Sequence, residues 1–342
     1  MQRATAGQSE MGHTCPSLAD IEAAHERIEG HVQRSPLIDS VLGEGIRLKL
    51  EIVQPTGTFK VRGATNALLH RLEVARERGV VCCSTGNHAR ALAYVAARMG
   101  VCATVCVSSL VPASKVEALR ALGADVRIIG NSQDDAQEEA DRLAASDGMY
   151  QIPPFDSLDV VSGQGTIGLE LMRQAEDIRS ILVPLSGGGL ASGIAVACKA
   201  LNPDIKIIGI SMDRGAAMSA SIGAGRPVQV DEHYSLADSL GGGIGLTNHV
   251  TFQLCRDLLD DVFLVSEADI YRGLRSVLCE ERLLVEGAAA VGHAALLNGI
   301  LSDIPKPTAL IMSGRNISSE QAAAVMANRS VQFPDGSEVR AQ

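Results

Sequence analysis

Lys60 stands where a lysine is costly. The run Pro55-Thr56-Gly57-Thr58-Phe59-Lys60 is a turn-prone stretch leading into a helical pattern, which puts the lysine in a helix's first turn. The positive end of the helix dipole disfavours a cation there. A lysine whose pKa is lowered can attack a carbonyl carbon or take a proton near neutral pH. A solvated surface lysine is the ordinary alternative, so the weight falls on its company. Three further segments each follow an apolar strand pattern. They are Ser84-Thr85-Gly86-Asn87-His88, Ser186-Gly187-Gly188-Gly189-Leu190 and Met312-Ser313-Gly314-Arg315-Asn316. Small polar and glycine-rich turns at helix N-termini offer backbone N–H groups to a carboxylate or a phosphate. Taken singly, each also reads as a plain turn, with Thr85 or Asn87 as an N-cap and His88 as a packing histidine.

One motif points elsewhere and is set aside. Gly163-Gln164-Gly165-Thr166-Ile167-Gly168 fits the dinucleotide pattern G-x-G-x-x-G. That fingerprint needs a strand before it and an acid about 20 residues on. The preceding Asp159 to Ser162 is short and polar at its ends, and Leu182-Val183-Pro184-Leu185 supplies no acid.

The elements that must position these residues alternate between strand and helix. Strand patterns cover Leu48 to Ile52, Gly79 to Ser84, Val101 to Val107, Asp125 to Ile129, Ser180 to Leu185, Ile205 to Ser211 and Thr308 to Met312. Helical patterns cover Phe59 to Leu72, His88 to Met99, Ser114 to Leu122, Asp134 to Ala145, Leu190 to Leu201 and Ala268 to Glu281. Ser17, with Asp20 three residues on, opens an earlier helix whose apolar face is Ile21, Ala24 and Ile28. Continuous apolar strands alternating with helices predict an α/β fold of parallel sheets flanked by helices. The Pro153-Pro154 punctuation divides the chain. Residues 1–52 plus 151–330 form a large domain, 53–150 a small one, and 1–15 and 331–342 loose tails. The site then lies at the strand carboxyl ends, in the crevice between domains.

Taken together and in order, these motifs resemble the fold-type II pyridoxal-phosphate enzymes (tryptophan synthase β-like), in the threonine/serine dehydratase branch. The likeness covers roughly residues 15–320. It implies pyridoxal 5′-phosphate as cofactor, with Lys60 as the Schiff-base lysine. It implies Ser84, Thr85, Gly86, Asn87 and His88 as the substrate-carboxylate loop, with Asn87 beside the cofactor's phenolic oxygen. Ser186, Gly187, Gly188, Gly189 and Leu190 become the phosphate loop, and Ser313 the partner of the pyridine nitrogen. Val285-Glu286-Gly287-Ala288 matches another active-site segment, which puts Glu286 at the cofactor. Pro112 to Lys115 and Gly163 to Thr166 match as well. Three departures stand out. Ser211 occupies the place of a glutamate that binds a divalent cation in some members, so no metal site is expected. Arg315 replaces a usual glycine. Ala237 to Gly245, with its Gly241-Gly242-Gly243 run, is similar to the hydroxyectoine-utilisation dehydratases.

The implied activity is elimination of a β-hydroxyl from a hydroxyamino acid such as threonine or serine, or from a hydroxyectoine-derived substrate. An amino-acid racemase on the same fold is the enzyme alternative, distinguished by an acid/base group facing Lys60 across the cofactor. A non-catalytic ligand-binding module is the alternative of another class. The bulk numbers agree with a soluble enzyme. The 342 residues carry 46% hydrophobic and 20% charged residues, and a net charge of −10 argues against nucleic acid as a partner. Met1 to Thr14 shows no apolar signal run, and no stretch reaches membrane-spanning length. Eight cysteines without a C-x-x-C pair fit a reducing cytoplasm. The partners expected are a small amino-acid substrate and, as is usual in the family, a second copy in a homodimer.

Overall fold

A computed structural model describes residues 15–339; the expectation of a loose tail over residues 1–14 lies outside the described residues. The strands, in chain order, are β1 (Leu37–Asp39), β2 (Ile46–Leu50), β3 (Val80–Cys83), β4 (Ala103–Val107), β5 (Asp125–Ile128), β6 (Tyr150–Gln151), β7 (Ser180–Pro184), β8 (Lys206–Met212), β9 (Asp261–Val265), β10 (Thr308–Met312), β11 (Val331–Gln332) and β12 (Glu338–Val339). They form a six-stranded sheet of order β1-β2-β10-β7-β8-β9, a four-stranded sheet of order β5-β4-β3-β6, and the small β11-β12 ribbon. In the two larger sheets only the β1–β2 pair is antiparallel.

The continuous apolar runs are explained by burial on both faces. β7 and β10 are buried along their whole length. Leu182 and Leu310 feed one core, while Ile181, Val183, Ala309 and Ile311 feed the core on the opposite face. The smaller sheet repeats the device: Val80, Cys82 and Val105 face one way, Val81, Cys83 and Cys106 the other. A strand with period-two contacts to two different cores must be apolar at every position.

Boundaries shift in places. The strand expected over Leu48 to Ile52 is β2, Ile46–Leu50, followed by a 3-10 turn over Glu51–Val53. The helix expected over Phe59 to Leu72 is Lys60–His70; a break at Arg71 separates it from a second helix, Leu72–Arg78. Gln151 pairs through β6 with Val81, so residue 151 belongs to the smaller sheet. The C-terminal expectation needs correction as well. Residues 331–339 are not loose. They form the β11-β12 ribbon, whose Val331, Phe333 and Val339 are buried in a large-sheet core.

The Gly163–Gly168 motif lies inside a helix, Leu158–Gln174, not after a strand. Its glycines serve helix packing. A Cβ on Gly163 would stand 2.7 Å from the Arg62 carbonyl oxygen and from the Gly63 Cα, and one on Gly165 2.9 Å from the Gly193 carbonyl oxygen. The helix thereby packs closely on both Lys60–His70 and Gly189–Leu201, which carry two of the candidate site segments. Among the described residues no helix is long and apolar enough to cross a membrane.

Candidate active site

The site helices lack side-chain caps, as do several others, among them Leu72–Arg78, Ala113–Ala121 and Leu158–Gln174. The helices opening at Ser17, Ser132 and Ser266 each carry a full capping box. The helices Lys60–His70, Asn87–Met99 and Gly189–Leu201 have no side-chain cap; their N-caps are Phe59, Gly86 and Gly188. Neither Thr85 nor Asn87 therefore serves as a cap. Relative to a Ser or Asp cap, the Phe59 cap costs about 1 kcal/mol and the two glycine caps only a few tenths. The missing cap side chains also leave N–H groups and the positive dipole end free for an anion.

The Lys60 turn is fastened to the end of β10. Phe59 N–H donates to the Ser313 carbonyl at 3.0 Å, Arg315 N–H to the Gly57 carbonyl at 2.9 Å, and Thr58 bridges Gly314. The Lys60 Nζ donates to the Pro154 carbonyl at 2.7 Å and sits 5.3 Å from the Phe59 ring centroid. Burial pushes its pKa down to about 8, against the opposing pull of Glu286. The lowering expected from the helix dipole thus has desolvation as its main cause. Next along the chain from Pro154, Phe155 lies under the glycine loop: a Cβ on Gly187 would fall 2.3 Å from its ring and one on Gly189 3.0 Å from its Cβ. Gly188 takes φ +86°, a conformation that glycine tolerates best.

Asn87 and Glu286 are joined. The Asn87 Nδ2 donates to both Glu286 oxygens at 2.9 and 3.1 Å, and its Oδ1 accepts from Asn316 Nδ2 at 2.7 Å. Glu286 also accepts from the Ser239 hydroxyl at 2.9 Å and from Asn316 N–H at 3.1 Å. Burial raises the Glu286 pKa, with the Asn87 bond pulling it back. Ser313 is buried, and among the described residues its hydroxyl has no hydrogen-bond partner. Ser84, Thr85, Gly86 and Ser186 are half-buried, and Leu190 packs into a core while its backbone stays in the loop. His88 needs a correction: its imidazole is buried and engaged with the Ile152 carbonyl at 2.8 Å, so the side chain is not free to meet a substrate. Pro154, Phe155, Ser239 and Asn316 had no site role in the sequence reading, although Asn316 closes the Met312-to-Asn316 segment. Asn316 carried the nearest signal, three residues after Ser313.

Residues 28–314 match the family described as "Pyridoxal-phosphate dependent enzyme". This chain belongs to that family. A Sinorhizobium fredii protein provisionally named a threonine dehydratase is 55% identical over 306 residues, covering 88% of this chain and 92% of that one. A Thermotoga maritima L-threonine ammonia-lyase is 38% identical, over 88% of this chain and 76% of that one. The structure of maize serine racemase superposes with a TM-score of 0.85 at 32% identity, covering 92% of this chain and 97% of that one. The pyridoxal-phosphate family uses a cofactor with an aldehyde, a phosphate and a ring nitrogen, and the residues present fit all three. Lys60 is a half-buried amine of lowered pKa. The Gly187–Gly189 loop brings backbone and an uncapped helix end to one place, where a side chain on Gly187 would collide with Phe155. Ser313 supplies a hydroxyl that none of the described residues engages.

Proposed function

We propose that this chain is a pyridoxal-phosphate-dependent dehydratase of the ammonia-lyase type, acting on a hydroxyamino acid. The observation that carries the reading is the half-buried Lys60 amine, held by the Pro154 carbonyl and lowered to about 8, beside three helix ends without side-chain caps. When bound, the cofactor supplies an electrophilic carbon and a ring that withdraws electron density from the substrate's Cα. Lys60 takes the α-proton. The backbone of Ser84 to Gly86 orients the substrate carboxylate, and Gly187 to Gly189 hold the phosphate through oriented N–H groups. Ser313 offers the ring nitrogen a neutral hydroxyl in place of a carboxylate, which favours loss of the β-hydroxyl over transamination. The hydroxyl leaves as water; the released enamine becomes an imine and is hydrolysed to a keto acid and ammonia. The larger sheet belongs to the cofactor-binding domain and the smaller to the small domain across the crevice. Eight unbonded thiols suit a reducing cytoplasm, and a homodimer is the assembly of this reading.

The substrate class extends beyond threonine and serine. A Cβ on Gly86, in the substrate-carboxylate loop, would meet nothing within 4 Å, which is room for a longer substrate. That supports a hydroxyectoine-derived compound. Attack on the cofactor needs a free primary amine, so the ring-opened form is the substrate rather than the closed amidine ring. Likeness to a serine racemase favours one second reading, racemisation; against it, Thr85 stands where racemase-type members carry the serine that serves as second base.

Borohydride reduction should fix the cofactor on the Lys60 peptide, and Lys60→Ala should abolish elimination; labelling of another lysine overturns the assignment. kcat/KM is then compared for threonine, serine, 3-hydroxyaspartate and ring-opened hydroxyectoine. A large preference for threonine removes the longer-substrate reading. Formation of D-serine from L-serine faster than pyruvate favours racemisation.

A further inference from the structure

The carbonyl that receives the Lys60 amine belongs to a strap, residues 152–156, lying outside any strand or helix. The strap leaves the smaller sheet after β6. Ile152 N–H donates to the Val81 carbonyl at 3.0 Å. The Ile152 carbonyl faces the His88 Nε2 at 2.8 Å, and since a carbonyl only accepts, Nε2 carries the proton. Burial and the nearby Lys60 charge push the His88 pKa down to about 3, so the imidazole stays a neutral donor across the working pH range. Pro153 and Pro154 then fix two successive φ angles, which transmits the placement of the Ile152 carbonyl to that of Pro154. At the far end Phe155 lies under the glycine loop, and the Asp156 carboxylate accepts from the N–H groups of His249, Val250 and Thr251 at 2.7, 2.8 and 2.9 Å.

We propose that His88 is a positioning residue: it pins the Ile152 carbonyl and, through the two prolines, places the Pro154 carbonyl that holds the Lys60 amine whenever that amine is free. A neutral amine donating to Pro154 keeps its lone pair turned away from that carbonyl, ready for a proton. The inference rests on the reading of Lys60 as the base. The charged group that acts on Lys60 is Glu286, while His88 stays neutral. Glu286 is left untouched by the test.

The test uses the holoenzyme and the best of the four substrates above. His88→Leu removes the donor, His88→Gln keeps one near the Nε2 position, and Pro153→Ala loosens the strap with both hydrogen bonds retained. His88→Leu should lower kcat by about 10- to 100-fold, the cost of a misplaced reacting group, with KM and the cofactor's visible absorbance little changed. The acidic limb of the kcat profile should move to lower pH, because a lost acceptor no longer favours the charged amine. His88→Gln should recover most of kcat and the limb, and Pro153→Ala should show a weaker form of the same loss. Wild-type kcat and limb in His88→Leu overturn the proposal, as does a loss confined to KM. Where His88→Leu does not fold, an unchanged kcat in Pro153→Ala overturns it. Wild-type enzyme that is not labelled at Lys60 brings down the site reading itself; labelled wild type with indifferent variants brings down the His88 role alone.

Discussion

A hydroxyl at position 313 leaves that end of the site without a fixed charge, and this choice can be reversed one residue at a time. Ser313→Ala should keep much of the elimination rate, since the hydroxyl holds no charge against the ring nitrogen. Ser313→Asp places a carboxylate in a buried spot where it favours a protonated ring. It should change the visible spectrum of the bound cofactor and raise transamination relative to elimination, read as the ratio of amine-form cofactor to keto acid produced. An unaltered spectrum and ratio would show that Ser313 does not meet the nitrogen. The glycine loop has its own single-atom test. Gly187→Ala puts a Cβ 2.3 Å from the Phe155 ring. Overpacking of this kind costs about 1–3 kcal/mol, so cofactor affinity should fall on the order of 10- to 100-fold. Unchanged affinity in an equilibrium titration would mean that the loop does not hold the phosphate.

At the scale of elements, the Lys60 helix is held from behind by charge. Arg62 is fully buried, and its guanidinium donates to Glu51 at 2.8 and 2.9 Å, to Glu170 at 2.7 and 3.0 Å, and to Thr166 at 3.1 Å. Lys49, also buried, completes the cluster on Glu170 at 2.9 Å. Arg62→Met would leave two buried carboxylates sharing one lysine, at a cost of about 3–5 kcal/mol. Thermal unfolding should show the loss, and a melting temperature within a degree of wild type would contradict it. The strand–helix alternation was legible because both-face burial demands apolar strands, and the Ser17 capping box because its partners lie three residues apart. The Leu158–Gln174 helix was not legible as such. Its three glycines lower helix propensity, and only the partner helices explain them. The resemblance put Asn87 and Glu286 at the same cofactor, but their direct bonds to each other and to Asn316 were out of reach, because they join residues 199 and 229 positions apart, whose pairing only the fold decides. The 331–339 ribbon was misread because two-residue strands carry too little period to show.

For the whole molecule, buried histidines set the response to acid. Burial lowers His88 to about 3 and His293 to about 4. The unfolded chain takes up both protons below about pH 6.5, while the folded one refuses them. Their contribution is therefore fully present above pH 6.5 and is lost as pH falls toward 4. Each histidine steepens the fall by about 1.4 kcal/mol per pH unit. Urea midpoints should drop steadily between pH 6.5 and 4.5, before most carboxylates titrate, and His293→Gln should halve the slope. A flat midpoint over that interval would refute the assignment. Sheet order bears on a different stage of the protein's life. The smaller sheet is assembled from one stretch, residues 80–151, and is complete once that stretch has left the ribosome. The larger is not: β10, near the far end of the chain, sits between β2 and β7. At ordinary translation speeds roughly 10–30 s separate the emergence of residue 151 from that of residue 308. β2 presents an open edge throughout that interval, and β7 presents one from its own emergence onward. The nascent chain thus carries a finished small sheet beside a large one split in two, and chaperones have most to protect there until the last parallel strand arrives.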